Sequence, residues 1–210
     1  MFTGIVEEIG TVKNIRTHQS VRTLDIACQT ITEDMHIGDS ISVNGACLTV
    51  IDFTSNYFSV QLIKGTEDKT YLSQINKNDE VNLERAMSGN GRFGGHFVLG
   101  HVDDKGVITQ VKETPNSRIV SIRASSTIIN QMVKQGSITV DGVSLTIFDL
   151  RHDSFDIHLI PETRRSTILS SKQNGDQVHL ETDVLFKYVE RMVSRNESEL
   201  TLDKLKAFGF

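Results

Sequence analysis

The sequence predicts an all-β fold of two homologous antiparallel domains, each a barrel or a sandwich, followed by a C-terminal α-helix. Three observations predict it. The stretch VNGACLTV at residues 43–50 returns as VDGVSLTI at residues 140–147. Apolar residues through both halves recur mostly with period two, the signature of half-buried strands. After Asp183 the period changes to that of an amphipathic helix.

The two octapeptides are displaced by 97 residues, and the offset holds elsewhere. Ser40-Ile41 maps onto Ser137-Ile138, and Phe58-Ser59-Val60 onto Phe155-Asp156-Ile157. Asp79-Glu80-Val81-Asn82-Leu83-Glu84 maps onto Asp176-Gln177-Val178-His179-Leu180-Glu181. Near the start the offset slips to 96, with Gly4, Val6 and Gly10 answering to Gly100, Val102 and Gly106. A register of this length implies duplication of one domain. Each copy is near the size at which a domain folds alone. The expected units are residues 1–97, residues 98–184 and a tail of residues 185–210.

Alternation marks the strands. Leu24, Ile26 and Cys28 alternate, as do Ile41 and Val43, then Phe58, Val60 and Leu62, then Val81 and Leu83. The second half repeats this at Ile138 and Val140, at Phe155, Ile157 and Leu159, and at Val178 and Leu180. Short runs of this kind fit a barrel or a sandwich in each half. Asn44-Gly45 and Asp141-Gly142 have the composition of tight hairpin turns. A bulge or sharp bend is equally allowed, because strand-like sequence follows at once. Residues 31–36 and 127–133 read as equivalent short helices, and residues 70–75 and 166–169 as a second such pair. In the tail, Leu185, Tyr188, Val189, Met192 and Val193 lie on one helical face that has to cover something. Association with copies of itself is one way to do so. Leu200, Leu202, Leu205 and Phe208 read as a final amphipathic turn or two, or as a frayed end.

Composition narrows the function. A net charge of −5, a pI near 5.8 and no Lys/Arg stripe argue against a nucleic-acid partner. No run of 18 apolar residues is present, so no membrane-spanning helix is expected. The opening MFTGIVEEIG lacks the basic start and apolar stretch of a signal peptide. Cys28 and Cys47 both lie in the first repeat without counterparts in the second. A disulfide framework would have been duplicated with the domain, so free thiols in a reducing cytoplasm are expected. Gly89, Gly91 and Gly94 formally match a dinucleotide fingerprint, but strand-like rather than helical sequence follows. An interdomain linker is the better reading.

Several short motifs, in this order and spacing, carry a resemblance. They are residues 1–6, MFTGIV; Asn44-Gly45-x-Cys47-Leu48-Thr49; Gly95-His96 with Gly100-His101-Val102; Asp141-Gly142-x-Ser144-Leu145-Thr146; and Ile160-Pro161-Glu162-Thr163. Together they closely resemble the riboflavin synthases of the α-chain type, from Met1 to about Tyr188. The resemblance implies two six-stranded antiparallel Greek-key barrels and a C-terminal helix that gathers subunits into a homotrimer. Each barrel would bind one 6,7-dimethyl-8-ribityllumazine, a small-molecule substrate. The implied reaction is a dismutation, the last step of riboflavin biosynthesis. One lumazine gives a four-carbon unit to the other, yielding riboflavin and 5-amino-6-(D-ribitylamino)uracil. No cofactor is implied, and lumazine synthase is a further expected partner. A duplicated pocket suits a reaction between two copies of one substrate. Alignment of the pair can be worth on the order of 7–11 kcal/mol.

By the same resemblance, Gly4, Ile5, Val6, Ser40, Cys47, Leu48, Thr49, Gln61, Leu62, Ile63, Lys64, Gly65 and Thr66 line the first pocket. Gly100, His101, Val102, Gln135, Ser144, Leu145, Thr146, His158, Leu159, Ile160, Pro161, Glu162 and Thr163 belong to the second. Phe2 and Thr3, ordinary first core residues by themselves, are placed over the ligand. The reaction removes a proton from the C7 methyl of a lumazine, and an imidazole is a suitable base near neutrality, which makes His101 a candidate. Cys47 and Ser144 are repeat equivalents that either add at C7 or position the ring; Ser144 is the stronger candidate for chemistry. Asp183 either orients Ser144 or His101, or caps the following helix. Two departures from the family pattern stand out. Lys64-Gly65-Thr66 replaces the usual Pro-Glu-Thr variant in the first repeat, and Gln135 stands where a lysine is common. The competing expectation is a non-catalytic, antenna-type lumazine or flavin carrier, which generally lacks parts of one site.

Overall fold

The computed structural model describes residues 1–19 and 21–197, so the turns expected at Leu200–Phe208 lie outside the described residues. The first barrel contains β1 (Glu8–His18), β2 (Val21–Ala27), β3 (Ser40–Val43), β4 (Ala46–Phe53), β5 (Tyr57–Leu62) and β6 (Glu80–Arg85), with α1 (Lys64–Lys69) after β5. The second contains β7 (Asp104–Glu113), β8 (Arg118–Arg123), β9 (Ser137–Val140), β10 (Val143–Leu150), β11 (Ser154–Leu159) and β12 (Gln177–Thr182). Within it α2 (Ser126–Asn130) precedes β9 and α3 (Pro161–Ser166) follows β11. α4 (Val184–Glu197) ends the described chain.

Both sheets close, in the orders β1-β2-β5-β4-β3-β6 and β10-β11-β8-β7-β12-β9. In each, three hairpin-linked strands lie beside a fourth that returns from earlier in the chain, the Greek-key order. Closure gives each strand a partner on both sides. Each barrel fills its own interior, the first around Leu24, Ile26, Phe58 and Val60, the second around Ile122, Ile138, Phe155 and Ile157.

The duplicated Asn-Gly and Asp-Gly pairs form two-residue hairpins. Asn44 and Gly45 have φ of +47° and +84°, and Asp141 and Gly142 have +46° and +82°. Positive φ at both positions is the type I′ pattern, which matches the right-handed twist of the flanking strands. The two turns also meet: a Cβ on Gly142 would stand 2.8 Å from the Gly45 nitrogen, and the converse is equally close. This contact lies on the seam where the two repeats face each other.

The helix at residues 31–36 is not formed. That stretch makes successive tight turns, with Glu33 N–H donating to the Thr30 carbonyl and Met35 N–H to the Thr32 carbonyl. The Glu8 carboxylate accepts from the N–H groups of Gln29, Thr30 and Ile31, and the turns that follow close on carbonyls three residues back without continuing into a helix. Its counterpart is a single short turn of helix, α2. The second expected helical pair begins earlier than the sequence implied, at Lys64 and Pro161, and ends in 3-10 turns at Leu72–Gln74 and Ile168–Ser170. Pro161 at the first helical position sets the start of α3.

Gly142→Ala adds a Cβ at positive φ against backbone. It is expected to lower the unfolding free energy by at least about 1–2 kcal/mol, the left-handed penalty alone. A urea denaturation midpoint equal to that of the unmodified protein would contradict the turn contact.

Candidate functional site

Two open slots, one on each barrel, follow from where the strand ladders stop. β4 pairs with β5 only from Val50↔Val60 onward, and β10 pairs with β11 only from Ile147↔Ile157 onward. A register shift follows in each, at Ile51 and at Phe148. Beyond these points, Cys47-Leu48-Thr49 and Gln61-Leu62 separate, and so do Ser144-Leu145-Thr146 and His158-Leu159. Val50 N–H donates to the Asp39 carbonyl and Ile147 N–H to the Gly136 carbonyl, both at 2.9 Å, on the far side of each strand. Backbone polar groups alternate sides along a strand, so those of Thr49 and Thr146 face the gaps. Peptide groups of this kind suit a planar ring carrying its own amide donors and acceptors. The side chains of Thr49, Gln61, Ile63, Thr146 and Ile160 are exposed on these outer faces.

Each slot is completed by a segment from the other half. The Cys47 N–H of the first barrel donates to the Gly100 carbonyl at 2.8 Å. The Ser144 N–H of the second barrel donates to the Gly4 carbonyl at 2.8 Å. Val102 joins the core of the first barrel, and Val6 packs against that of the second. The two segments cross at an antiparallel bridge between Phe2 and Val98. Close approach demands glycine here: a Cβ on Gly4 would lie 2.6 Å from the Ser144 Cβ, and one on Gly100 equally close to the Cys47 Cβ.

This exchange reverses the grouping inferred from the repeat. Gly4, Ile5 and Val6 belong with Ser144, Leu145 and Thr146, while Gly100, His101 and Val102 belong with Cys47, Leu48 and Thr49. The repeat aligns chain positions, and it carries no information on which barrel a lead-in segment crosses to.

The slots therefore differ in chemistry. Exposed His101 and half-buried Cys47 flank the first. At the second, the Ser144 hydroxyl lies 2.7 Å from His96 Nδ1, and His96 Nε2 lies 3.1 Å from the Thr139 hydroxyl. A neutral imidazole satisfies both contacts by accepting at one nitrogen and donating at the other. His96 stands in the sequence only as part of the Gly95-His96 motif, and nothing in the sequence assigns it to the Ser144 site. Burial holds its pKa below the usual imidazole range, opposed by the charge of Asp183. A serine beside a neutral buried histidine is a nucleophile–base arrangement.

The remaining candidates divide. Leu48, Leu62 and Leu159 are buried, so only their backbones face a ligand. Phe2 is fully buried, and a Cβ on Gly100 would lie 2.9 Å from its ring. Phe2 thus wedges the crossing segments together instead of lying exposed over a ligand. The Thr3 hydroxyl donates to Glu84 at 2.8 Å. Glu162 is exposed, and its carboxylate is held by Arg165 and Ser166 within α3. Lys64 and Gly65 open α1, and Thr66 lies half-buried within it. Pro161 opens α3 and Thr163 lies half-buried in its first turn. Half-buried Ser40 faces Thr49 across the β3–β4 ladder. His158 stacks on Phe148 at 3.8 Å on the outer face of the second barrel. Gln135 is exposed at φ +66°, in the turn bonded to Ile147. Asp183 caps α4, its side chain accepting from the Leu185 N–H at 2.9 Å.

Both slots are open strips on barrel faces. A cavity of about 450 Å³ touches the candidate residues at Thr3, Ile5 and Ser40, and another of about 650 Å³ lies along the seam at Tyr71 and Lys172.

Comparison with known proteins gives a consistent result. Residues 3–86 and 99–183 each match the lumazine binding domain family. The chain is 47% identical to the riboflavin synthase of Bacillus subtilis over 99% of its own length and 97% of that protein. It is 41% identical to the riboflavin synthase of Actinobacillus pleuropneumoniae over the whole of both chains. It is 40% identical to that of Schizosaccharomyces pombe over 92% of this chain and 94% of the relative. Among solved structures, LumP with riboflavin superposes with a TM-score of 0.80 at 23% identity, covering 87% of this chain and 99% of that one. LumP with 6,7-dimethyl-8-(1'-D-ribityl) lumazine gives 0.78 at the same identity and coverage.

The depressed pKa of His96 makes a solution prediction. The unfolded chain takes up this proton more readily, so the stability from neutral His96 is present above pH 6.5 and is lost as pH falls through the folded-state pKa. Proton NMR of the imidazole should give a midpoint below 6.5; a higher one would contradict the buried Ser144 contact.

Proposed function

The chain belongs to the riboflavin synthase family, and on that premise we propose that its two slots each take one 6,7-dimethyl-8-ribityllumazine and transfer four carbons between them. The carrying observation is the duplicated slot with unlike side chains around like backbones. Thr49 and Thr146 would read the same pyrimidinedione edge in both barrels. Cys47 with His101, and Ser144 with His96, would treat the two bound rings differently. Donor and acceptor are the same compound, so only their surroundings can assign their roles. His101 and His96 are the groups suited to moving the C7 methyl proton. Phe2, Thr3 and Asp183 support these groups through packing, hydrogen bonding and helix capping.

Both slots face outward, so a reaction between two rings needs a second subunit to bring unlike slots together. The stripe of Leu185, Tyr188, Val189, Met192 and Val193 on α4 is more than half exposed at every position. It supports association through α4, and the family resemblance favours a homotrimer. The same reading makes the enzyme a transferase and divides the chain at residues 97/98 and 184/185. It makes lumazine synthase, which supplies the substrate, a natural partner. The two free thiols suit a reducing cytoplasm.

The purified protein, given lumazine alone, is expected to form riboflavin, followed by its absorbance and fluorescence. Binding without consumption would favour an antenna-type carrier. His101→Gln should slow turnover by about 10²-fold or more while changing lumazine affinity little. Equal loss of both would make His101 a binding residue only. Truncation before Val184 should reduce the mass in solution, measured by light scattering; an unchanged mass would place the subunit contacts on the barrels.

A further inference from the structure

The crossing segments are held by two equivalent carboxylates, neither assigned a role by the reading above. Glu84 on β6 accepts from the Thr3 N–H at 2.6 Å, the Thr3 hydroxyl at 2.8 Å and the Gly4 N–H at 3.0 Å. Glu181 on β12 accepts from the N–H groups of Leu99, Gly100 and His101 at 2.7, 3.0 and 3.1 Å. Both glutamates are buried, at 5% and 2% exposure. Successive N–H groups around a glycine of positive φ converge into an anion-binding nest, and here a side-chain carboxylate fills it. Burial raises the pKa of both carboxyls, that of Glu181 to about 7, and the bonded N–H groups oppose the shift; bonds to the ionised form are short and directional.

Each carboxylate belongs to one barrel, while the peptide it holds bonds to the other. The Glu84-bound segment presents its Gly4 carbonyl to Ser144 in the second barrel. The Glu181-bound segment presents its Gly100 carbonyl to Cys47 in the first and carries His101 there. We infer that Glu84 and Glu181 are positioning residues acting across the seam: Glu181 sets the Cys47–His101 slot of the first barrel, and Glu84 sets the Ser144 slot of the second.

A glutamine would replace one acceptor oxygen by an amide that faces N–H groups with a further donor. The segment would shift, and the slot it completes would loosen. This rests on the two-slot reading, yet it makes a prediction independent of turnover. Cys28 is buried and Cys47 is half-buried, so a thiol reagent reports on the first slot through Cys47. Cys47→Ser serves as the control that assigns the signal.

Glu181→Gln is expected to speed labelling of Cys47 several-fold, although Glu181 lies in the opposite barrel. Glu84→Gln, on the same barrel as Cys47, should leave that rate unchanged. In turnover, each variant should lower kcat by about tenfold to a hundredfold with KM little altered, the effect of a small misplacement. If Glu181→Gln does not melt near the unmodified protein, Glu181→Asp replaces it; it keeps the charge, shortens the reach and should still speed labelling. An unaltered Cys47 rate in the folded Glu181 variant would overturn the inference, as would equal acceleration by Glu84→Gln. Failure of the unmodified protein to make riboflavin would refute the proposed function while leaving the labelling result interpretable.

Discussion

The structure depends on one exchange. Residues 2–6 and 98–102 each lead into a barrel strand, yet each lays its glycine carbonyl on a strand of the other barrel. The bridge between Phe2 and Val98 fixes where they cross, and buried Phe2 fills the crossing point. Neither slot is complete without the opposite repeat. The seam is polar as well as tight. Asn82 Nδ2 donates to the Asp141 carbonyl at 2.8 Å, and the Tyr71 hydroxyl donates to the Asp141 carboxylate at 2.8 Å. Tyr71 stacks on His179 at 3.9 Å, with the Tyr71 N–H donating to His179 Nε2 at 2.8 Å. Groups buried this way fix orientation, because any other arrangement leaves donors and acceptors unpaired.

Duplication and divergence act on different atoms. The features shared by the barrels are backbone features: the I′ turns, the ladder that stops one residue before a bulge, and the glycine carbonyl at the slot. Backbone groups are indifferent to sequence, so both slots keep one backbone geometry. Side chains were free to part company. Cys47 corresponds to Ser144, Ile5 to His101, and Asn82 to His179 in the repeat. The two slots thus share their backbones and differ in the side chains around them.

The slots open outward, and among the described residues the apolar stripe of α4 is exposed. A contiguous apolar face of this kind is the surface on which the proposed association rests.

The sequence by itself determined the duplication, the antiparallel β character of both halves and the terminal helix. These are local or periodic properties: a turn needing positive φ at both residues, alternation of period two, a helical stripe. It misjudged residues 31–36, which close into successive tight turns, Glu33 N–H to the Thr30 carbonyl and Met35 N–H to the Thr32 carbonyl, instead of a helix. His96 was quoted only as a motif residue, because its place at the site depends on Ser144, distant in sequence and 2.7 Å away in space. Phe2 is buried at the crossing of the two lead-in segments, a position set by its bridge to Val98. Only the tertiary structure decided which lead-in segment completes which barrel. Repeat alignment is unchanged whether a segment stays or crosses, and the choice is made by hydrogen bonds between residues about a hundred positions apart in the chain, as between Cys47 and Gly100.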